Sequence, residues 1–174
     1  MFAEHLMLYW LSKHGFECAR IDHTGIDLIA RNPVEDRPMG ISVKSSCRLP
    51  TQEEKPVTIY RADLDKAKEA CRAFGCTPYL GVVVDTGPQI HGMLVRVTTV
   101  ERFNPNMKKT FRWGMSAPWR QRYSENDDIK TFAMECQTPR WWSPWQCGPV
   151  RTGDRLMLSS VSMDCDQRAR RRRI

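Results

Sequence analysis

Two apolar stretches, GIDLIA at residues 25–30 and GISVKS at residues 40–45, are each interrupted by one charged side chain. Their length, their β-branched residues and the turn residues around them predict two neighbouring β-strands. A carboxylate inside a strand costs free energy to bury unless it is paired or bound to a cation. We therefore expect Asp27 and Lys44 either to form a salt bridge or face solvent at a strand end, or to flank a reacting phosphate.

The periodicity on both sides of these stretches predicts an α/β fold. One helix is expected at 3–14, ended by Gly15, and a second from Asp63, as its N-cap, to Phe74. Strands are predicted at 16–21, 25–30, 40–44, 79–84 and 91–100, with a short extended piece at 57–60. The order α-β-β-β-α-β-β describes a mixed sheet flanked by helices.

The net charge of this 174-residue chain, +7, is unevenly distributed. Residues 1–103 hold 13 basic and 13 acidic side chains, whereas residues 104–174 hold 14 basic and 7 acidic. The second part also holds five of the six tryptophans, and five arginines lie in its last seven residues. We predict a core at 1–103, a tryptophan-rich basic extension or subdomain at 104–167, and a disordered arginine-rich tail at 168–174.

Composition and motifs exclude several classes of protein. No apolar run reaches the roughly 20 residues that span a bilayer, and the first 15 residues lack the basic leader and cleavage site of a signal peptide. Seven cysteines, an odd number without a CxxC pair, fit neither a disulfide framework nor a zinc finger. No phosphate-binding glycine loop and no nucleophile elbow is present. Reduced thiols and a cytoplasmic location are expected, with no membrane partner.

The order of charged residues resembles that of a known nuclease superfamily. Glu4 on a helix, Asp27 in a strand and Lys44 at the end of the next strand resemble the PD-(D/E)XK nucleases, most closely the archaeal-type Holliday junction resolvases and restriction-endonuclease-like proteins. The resemblance covers about residues 3–100. It implies a restriction-endonuclease-like fold in which Glu4 and Asp27 hold Mg²⁺ or Mn²⁺ and Lys44 is the catalytic lysine.

Ser42 departs from the pattern of that superfamily, which has an acid two residues before the lysine. A neutral hydroxyl is a weak ligand for Mg²⁺, because hard cations depend on anionic oxygen. Three outcomes are open: Glu4, Asp27 and water suffice; a displaced acid such as Asp22 or Glu54 substitutes; or the site is inactive and the fold serves binding.

A second group of candidates could contact nucleic acid. Arginines and lysines bind phosphates, and aromatic side chains stack on exposed bases. The alternative to nucleic-acid binding is a structural role. The two serines would then be turn residues, and the tryptophans would form a core whose flanking arginines are solvated. The candidates are Ser45, Ser46, Lys108, Lys109, Arg112, Arg120 and Arg122.

Three functions remain open at this stage. The first is a Mg²⁺-dependent DNA endonuclease that uses Asp27, Glu4 and Lys44 to hydrolyse phosphodiester bonds. The second is a catalytically degenerate protein of the same fold that binds nucleic acid. The third is an interaction module, in which a homodimer would bury the tryptophans.

Overall fold

A computed structural model of the chain describes residues 2–34, 37–49, 51–106 and 108–136. None of the helices in these ranges is long and apolar enough to cross a membrane. The elements, in chain order, are α1 (Phe2–Lys13), β1 (Glu17–His23), β2 (Ile26–Arg31), β3 (Met39–Cys47), β4 (Val57–Tyr60), α2 (Arg61–Phe74), β5 (Thr77–Asp85), β6 (Gln89–Arg96), α3 (Val97–Phe103), β7 (Thr110–Trp113), α4 (Ala117–Ser124) and β8 (Ile129–Glu135).

Six of the strands form one mixed sheet in the order β1-β2-β3-β5-β6-β8. Strands β3 and β5 pair in parallel, and the other neighbours pair antiparallel. A parallel pair needs a crossover connection, which α2 supplies here. Strands β4 and β7 form a separate two-stranded antiparallel sheet. The predicted mixed sheet with flanking helices is confirmed.

The two faces of the six-stranded sheet carry different cores. Ile41 of β3 belongs to the cluster that contains the buried face of α1, and Val43 packs against that cluster. Because successive side chains of a strand point to opposite faces, Ser42 and Lys44 lie on the other face. That second face holds Val82 and Met93 in one cluster with Leu64 of α2.

Two local predictions were wrong. Residues 97–100 are not strand, because Val97 and Val100 are buried at helical spacing in α3 and the β-branched run misled the prediction. Asp63 is not the N-cap of α2, since the helix begins at Arg61 directly after β4. Asp63 instead lies in the first turn, where the helix dipole favours an acid.

Residues beyond Phe103 contribute to the same core as the sheet. Strand β8 pairs with β6, and Trp113 is fully buried with its ring stacked on Tyr123 at a centroid distance of 4.3 Å. Trp113 is therefore a core residue and not a base-stacking surface. The remaining tryptophans of this part, apart from the exposed Trp119, lie outside the described residues, as do residues 137–167 and the predicted tail at 168–174.

The sheet meets α2 at Gly40, in the second residue of β3. A Cβ placed on this glycine would overlap Sγ of Cys71 and would lie 3.3 Å from Cβ of Cys76. The Cys71 thiol is buried and donates to the carbonyl oxygen of Gly40 at 3.5 Å. Burial, together with the neighbouring thiol of Cys76, raises the pKa of Cys71 to about 11. Cys71 is thus a neutral packing group at pH 7.

Gly40→Ala is expected to lower the free energy of unfolding by about 1–3 kcal/mol, because the added methyl overfills the contact with Cys71. Urea denaturation measures the loss. The same change made in a Cys71→Ala background should cost clearly less, since the sulfur is then absent. Equal costs in the two backgrounds would contradict this account of the contact.

Candidate active site

A cleft of about 190 Å³ lies where the β1–β2 turn, strand β3 and the start of α2 meet. Three of the predicted catalytic residues line it: Asp27, Ser42 and Lys44. Two further charged residues line it that were not predicted as site residues, Asp63 and Lys66 of α2. The rest of the lining is Thr24, Gly25 and Val43.

Asp27 is held in place by the backbone of the neighbouring strand. The antiparallel pairing of β2 with β3 runs from Ala30 to Leu28, and Asp27 follows at its end. There, Oδ2 of Asp27 accepts a hydrogen bond from the N–H of Val43 at 2.6 Å. The bond fixes the direction of the half-buried carboxylate. Among the described residues, Oδ1 of Asp27 accepts no hydrogen bond. Oδ2 therefore orients the carboxylate, and Oδ1 is available to bind a ligand.

Lys44 pairs with an acid from the helix and not with Asp27. Its Nζ lies 2.8 Å from Oδ2 of Asp63, and about a third of each side chain is exposed. Of the alternatives left open for Asp27 and Lys44, a salt bridge between the two is not the one that forms. Within the part of the chain that the structure describes, Oδ1 of Asp63 forms no hydrogen bond or ion pair. In Asp63, too, one carboxylate oxygen is paired and the other is available to bind a ligand.

The turn between β1 and β2 sets the distance from Asp27 to α2. Gly25 has a φ of +110°, which a side chain disfavours. A Cβ at Gly25 would lie 2.6 Å from the carbonyl oxygen of Lys66, so the turn touches the helix backbone directly. This contact brings Asp27 to the same cleft as Asp63 and Lys66.

The other predicted site acids lie elsewhere among the described residues. Glu4, in the first turn of α1, does not line the cleft, and α1 packs on the opposite face of the sheet. Neither Asp22 nor Glu54, the two expected substitutes for the missing acid, lines it. Asp63 does so. The sequence held one signal for Asp63. Ser42 stands where the superfamily pattern has an acid, and the next helix has an acid, Asp63, in its first turn.

The predicted nucleic-acid contacts are spread over several elements. Ser45 is exposed and Ser46 is half-buried on β3, and neither lines the cleft. Lys108, Lys109 and Arg112 are exposed before and within β7.

Two predicted arginines lie on α4, and each has a contact. The guanidinium of Arg122 lies over the rings of Phe103 and Trp119 at 5.4 and 5.3 Å. Nη1 of Arg120 donates to the carbonyl oxygen of Met115 at 2.6 Å.

The donor set of the cleft suits one kind of metal ion. No group of three or more histidine, cysteine or acidic side chains within the described ranges is placed to hold a metal. Asp27, Asp63 and the hydroxyl of Ser42 supply two anionic oxygens and one neutral oxygen to the same space. Mg²⁺ is held in this way, by one or two carboxylates, and keeps several waters for itself and the substrate. The residues fit Mg²⁺ or Mn²⁺ and do not fit zinc.

No protein-family model and no curated protein matches this chain. Among solved structures, the Holliday junction resolvase Hjc of the archaeal hyperthermophile Archaeoglobus fulgidus is similar to it. The two are 20% identical, the match covers 63% of this chain and 78% of the resolvase, and the TM-score is 0.46.

Asp27→Asn is expected to leave the free energy of unfolding within about 0.5 kcal/mol of the natural value, because the amide oxygen still accepts from Val43. Asp27→Ala leaves that N–H without its partner and should cost about 1 kcal/mol more. Urea denaturation of both variants at pH 7 makes the comparison. Equal stabilities would show that the carboxylate is not held by this bond.

Proposed function

We propose that this protein is a metal-dependent endonuclease of restriction-endonuclease-like fold that hydrolyses phosphodiester bonds in DNA. The observation that supports it is the convergence of two carboxylates, a hydroxyl and two lysines in one cleft. These residues come from two strands and a helix that are separated in sequence. Carboxylates to hold a divalent cation, next to ammonium groups, are what the hydrolysis of a phosphate diester requires.

Asp27 and Asp63 would hold Mg²⁺ or Mn²⁺, each through the oxygen that does not already hold the side chain in place. When bound, the cation supplies Lewis-acid stabilisation of the charge on the phosphate and activates water. Asp63 takes the part of the acid that Ser42 replaces. A role for Glu4 as a further ligand of the cation stays a prediction, because Glu4 does not line the cleft.

The two lysines have different tasks in this proposal. Lys44, fixed by Asp63 at 2.8 Å, places its charge at the wall of the cleft, where negative charge develops on the phosphate. Lys66 is exposed at the cleft and has no ion pair among the described residues. It is suited to attract a backbone phosphate of the DNA strand. Lys108, Lys109 and Arg112 are exposed and would add contacts that do not depend on sequence.

A second function, nucleic-acid binding without cleavage, is favoured by two specific features. Ser42 supplies a hydroxyl where the PD-(D/E)XK nucleases, which the sequence resembles, usually have an acid, and Asp63 is already paired with Lys44. If that pair is too strong for Asp63 to share its carboxylate, a cation is held by Asp27 alone. The protein would then bind DNA, with a strong dependence on salt, and leave it intact.

Purified protein is expected to cleave DNA when Mg²⁺ or Mn²⁺ is added and not in EDTA. Asp27→Asn, Asp63→Asn and Lys44→Met should each lower the rate at least about 100-fold, because each removes a charge from the reacting centre. Rates on plasmid, branched and single-stranded DNA, measured on gels, give the comparison and the preferred substrate.

The matched control is Asp65→Asn, on the same helix. Asp65 is exposed, is paired with Arg61 at 3.9 Å and does not line the cleft, so its loss should leave the rate unchanged. Cleavage that survives Asp27→Asn or Lys44→Met removes the proposed mechanism. Metal-independent, salt-dependent binding with no cleavage of any substrate supports the second function.

Ser42→Asp is expected to raise the affinity for Mn²⁺, because it adds a third carboxylate to the cleft. Without metal the variant should unfold at a lower temperature, as three acids repel one another, and Mn²⁺ should restore the melting temperature more than it does for the natural chain. Ser46→Asp, on the same face but outside the cleft, is the control. Equal Mn²⁺ affinity in the natural chain and Ser42→Asp would show that the cleft is not a metal site.

A further inference from the structure

A groove separate from the cleft lies between helix α4 and strands β6 and β8. It consists of two adjoining cavities of about 340 and 300 Å³, which we call the inner and the outer cavity. His91 of β6 and Arg120 of α4 line both, so this pair stands at the junction. A volume of this size is that of a site for a small molecule or for one nucleotide unit.

The junction of the two cavities is electropositive. Arg120 is anchored by one nitrogen, which donates to the carbonyl oxygen of buried Met115 at 2.6 Å. It lines both cavities and forms no ion pair within the described ranges, so its remaining N–H donors have no carboxylate partner there. Burial, and secondly the charge of Arg120, lower the pKa of half-buried His91. His91 is therefore neutral at pH 7 and lies next to a fixed positive charge.

The linings of the two cavities determine which side of the junction an anion can occupy. The outer cavity is lined by two acids, Glu53 and Glu135, and by the thiol of Cys136, and the acids would repel an anion there. No acidic side chain among the described residues lines the inner cavity. Its polar groups are the hydroxyls of Ser124 and Thr131 and the amide of Gln121, and its apolar side chains are Met93 and Ala133. Phe132 lines it through the backbone, since its ring packs on Trp10 at the other face of the sheet.

We propose that the inner cavity binds a nucleotide unit, with the phosphate held between Arg120 and His91 and the base against the apolar wall. An arginine offers planar, paired donors to a phosphate, and a histidine that gains a proton beside it adds a second charged donor. The apolar wall with a few hydroxyl and amide groups suits a flat heterocycle that carries its own donors and acceptors.

The groove and the cleft lie on the same face of the six-stranded sheet. Lys44 is opposite Val82 in the pairing of β3 with β5, and Val82 is opposite Met93 in the pairing of β5 with β6. Two strand spacings, about 10 Å, therefore separate the strand of the cleft from the strand of the groove. The nucleotide unit can come from a DNA strand that also reaches the cleft, or from a free mononucleotide. Binding in the groove does not require that the cleft be catalytic.

The experiment is an NMR pH titration of the four histidine imidazoles in EDTA, without and with deoxyadenosine monophosphate. The phosphate is expected to raise the pKa of His91 to at least the ordinary value of an exposed histidine, because it supplies an opposite charge. The other three histidines, His5, His14 and His23, should not change. His91→Asn identifies the resonance. An unchanged His91 titration at saturating nucleotide overturns the proposal.

Arg120→Gln should weaken the nucleotide affinity at least tenfold by calorimetry. The control is Lys130→Gln, which makes the same change in net charge on β8. Lys130 pairs with Leu94, so both side chains lie on the face of the sheet away from the groove. This variant should bind the nucleotide as the natural chain does. An oligonucleotide of eight thymidines, tested in the same way, shows whether the nucleotide unit belongs to a DNA strand or is free. If Arg120→Gln also weakens the affinity for the oligonucleotide, the ligand is a DNA strand. If only the affinity for the mononucleotide falls, the ligand is a free nucleotide. Equal losses in Arg120→Gln and Lys130→Gln overturn the site.

Discussion

The approach of helix α2 to the sheet at backbone distance is the constraint on which the cleft depends. Two glycines permit it: Gly25 touches the carbonyl of Lys66, and Gly40 leaves space for the sulfur of Cys71. A side chain at either position would displace the helix. With the helix in place, its first turn brings Asp63 within 2.8 Å of Lys44. The positions of the charged side chains in the cleft thus depend on the packing of two uncharged residues, Gly25 and Gly40, against helix α2.

A second acid reaches the cleft from the neighbouring helix. Ser42 leaves the strand with a neutral oxygen, and Asp63 brings a carboxylate to the same space from α2. The physical requirement of a cation concerns the positions of oxygens and not the element that carries them. The arrangement ties the charge of Lys44 to the acid that would share a metal, so the two side chains are expected to act as a unit.

Three aromatic side chains among the described residues of the second half of the chain, Phe103, Trp113 and Tyr123, pack together in the core. Trp113 and Tyr123 stack on each other, and Phe103 meets both rings edge to face. This packing holds α4 on the same sheet face as the cleft. The basic residues of α4 are consequently divided: Arg122 covers aromatic rings, whereas Arg120 points to a groove.

Sequence patterns alone predicted the helix α1, most strands of the sheet, the glycine at the end of α2, and the placement of Asp27 and Lys44 on neighbouring strands. Those features depend on local periodicity and on the cost of a charge inside an apolar strand, which neighbouring residues reveal. Only the tertiary structure decided the partner of Lys44, the place of Asp63, the helix at 97–103 and the groove at His91 and Arg120. Each of these joins residues that are distant in the chain, and their approach is set by side-chain packing across the sheet, which no local pattern contains.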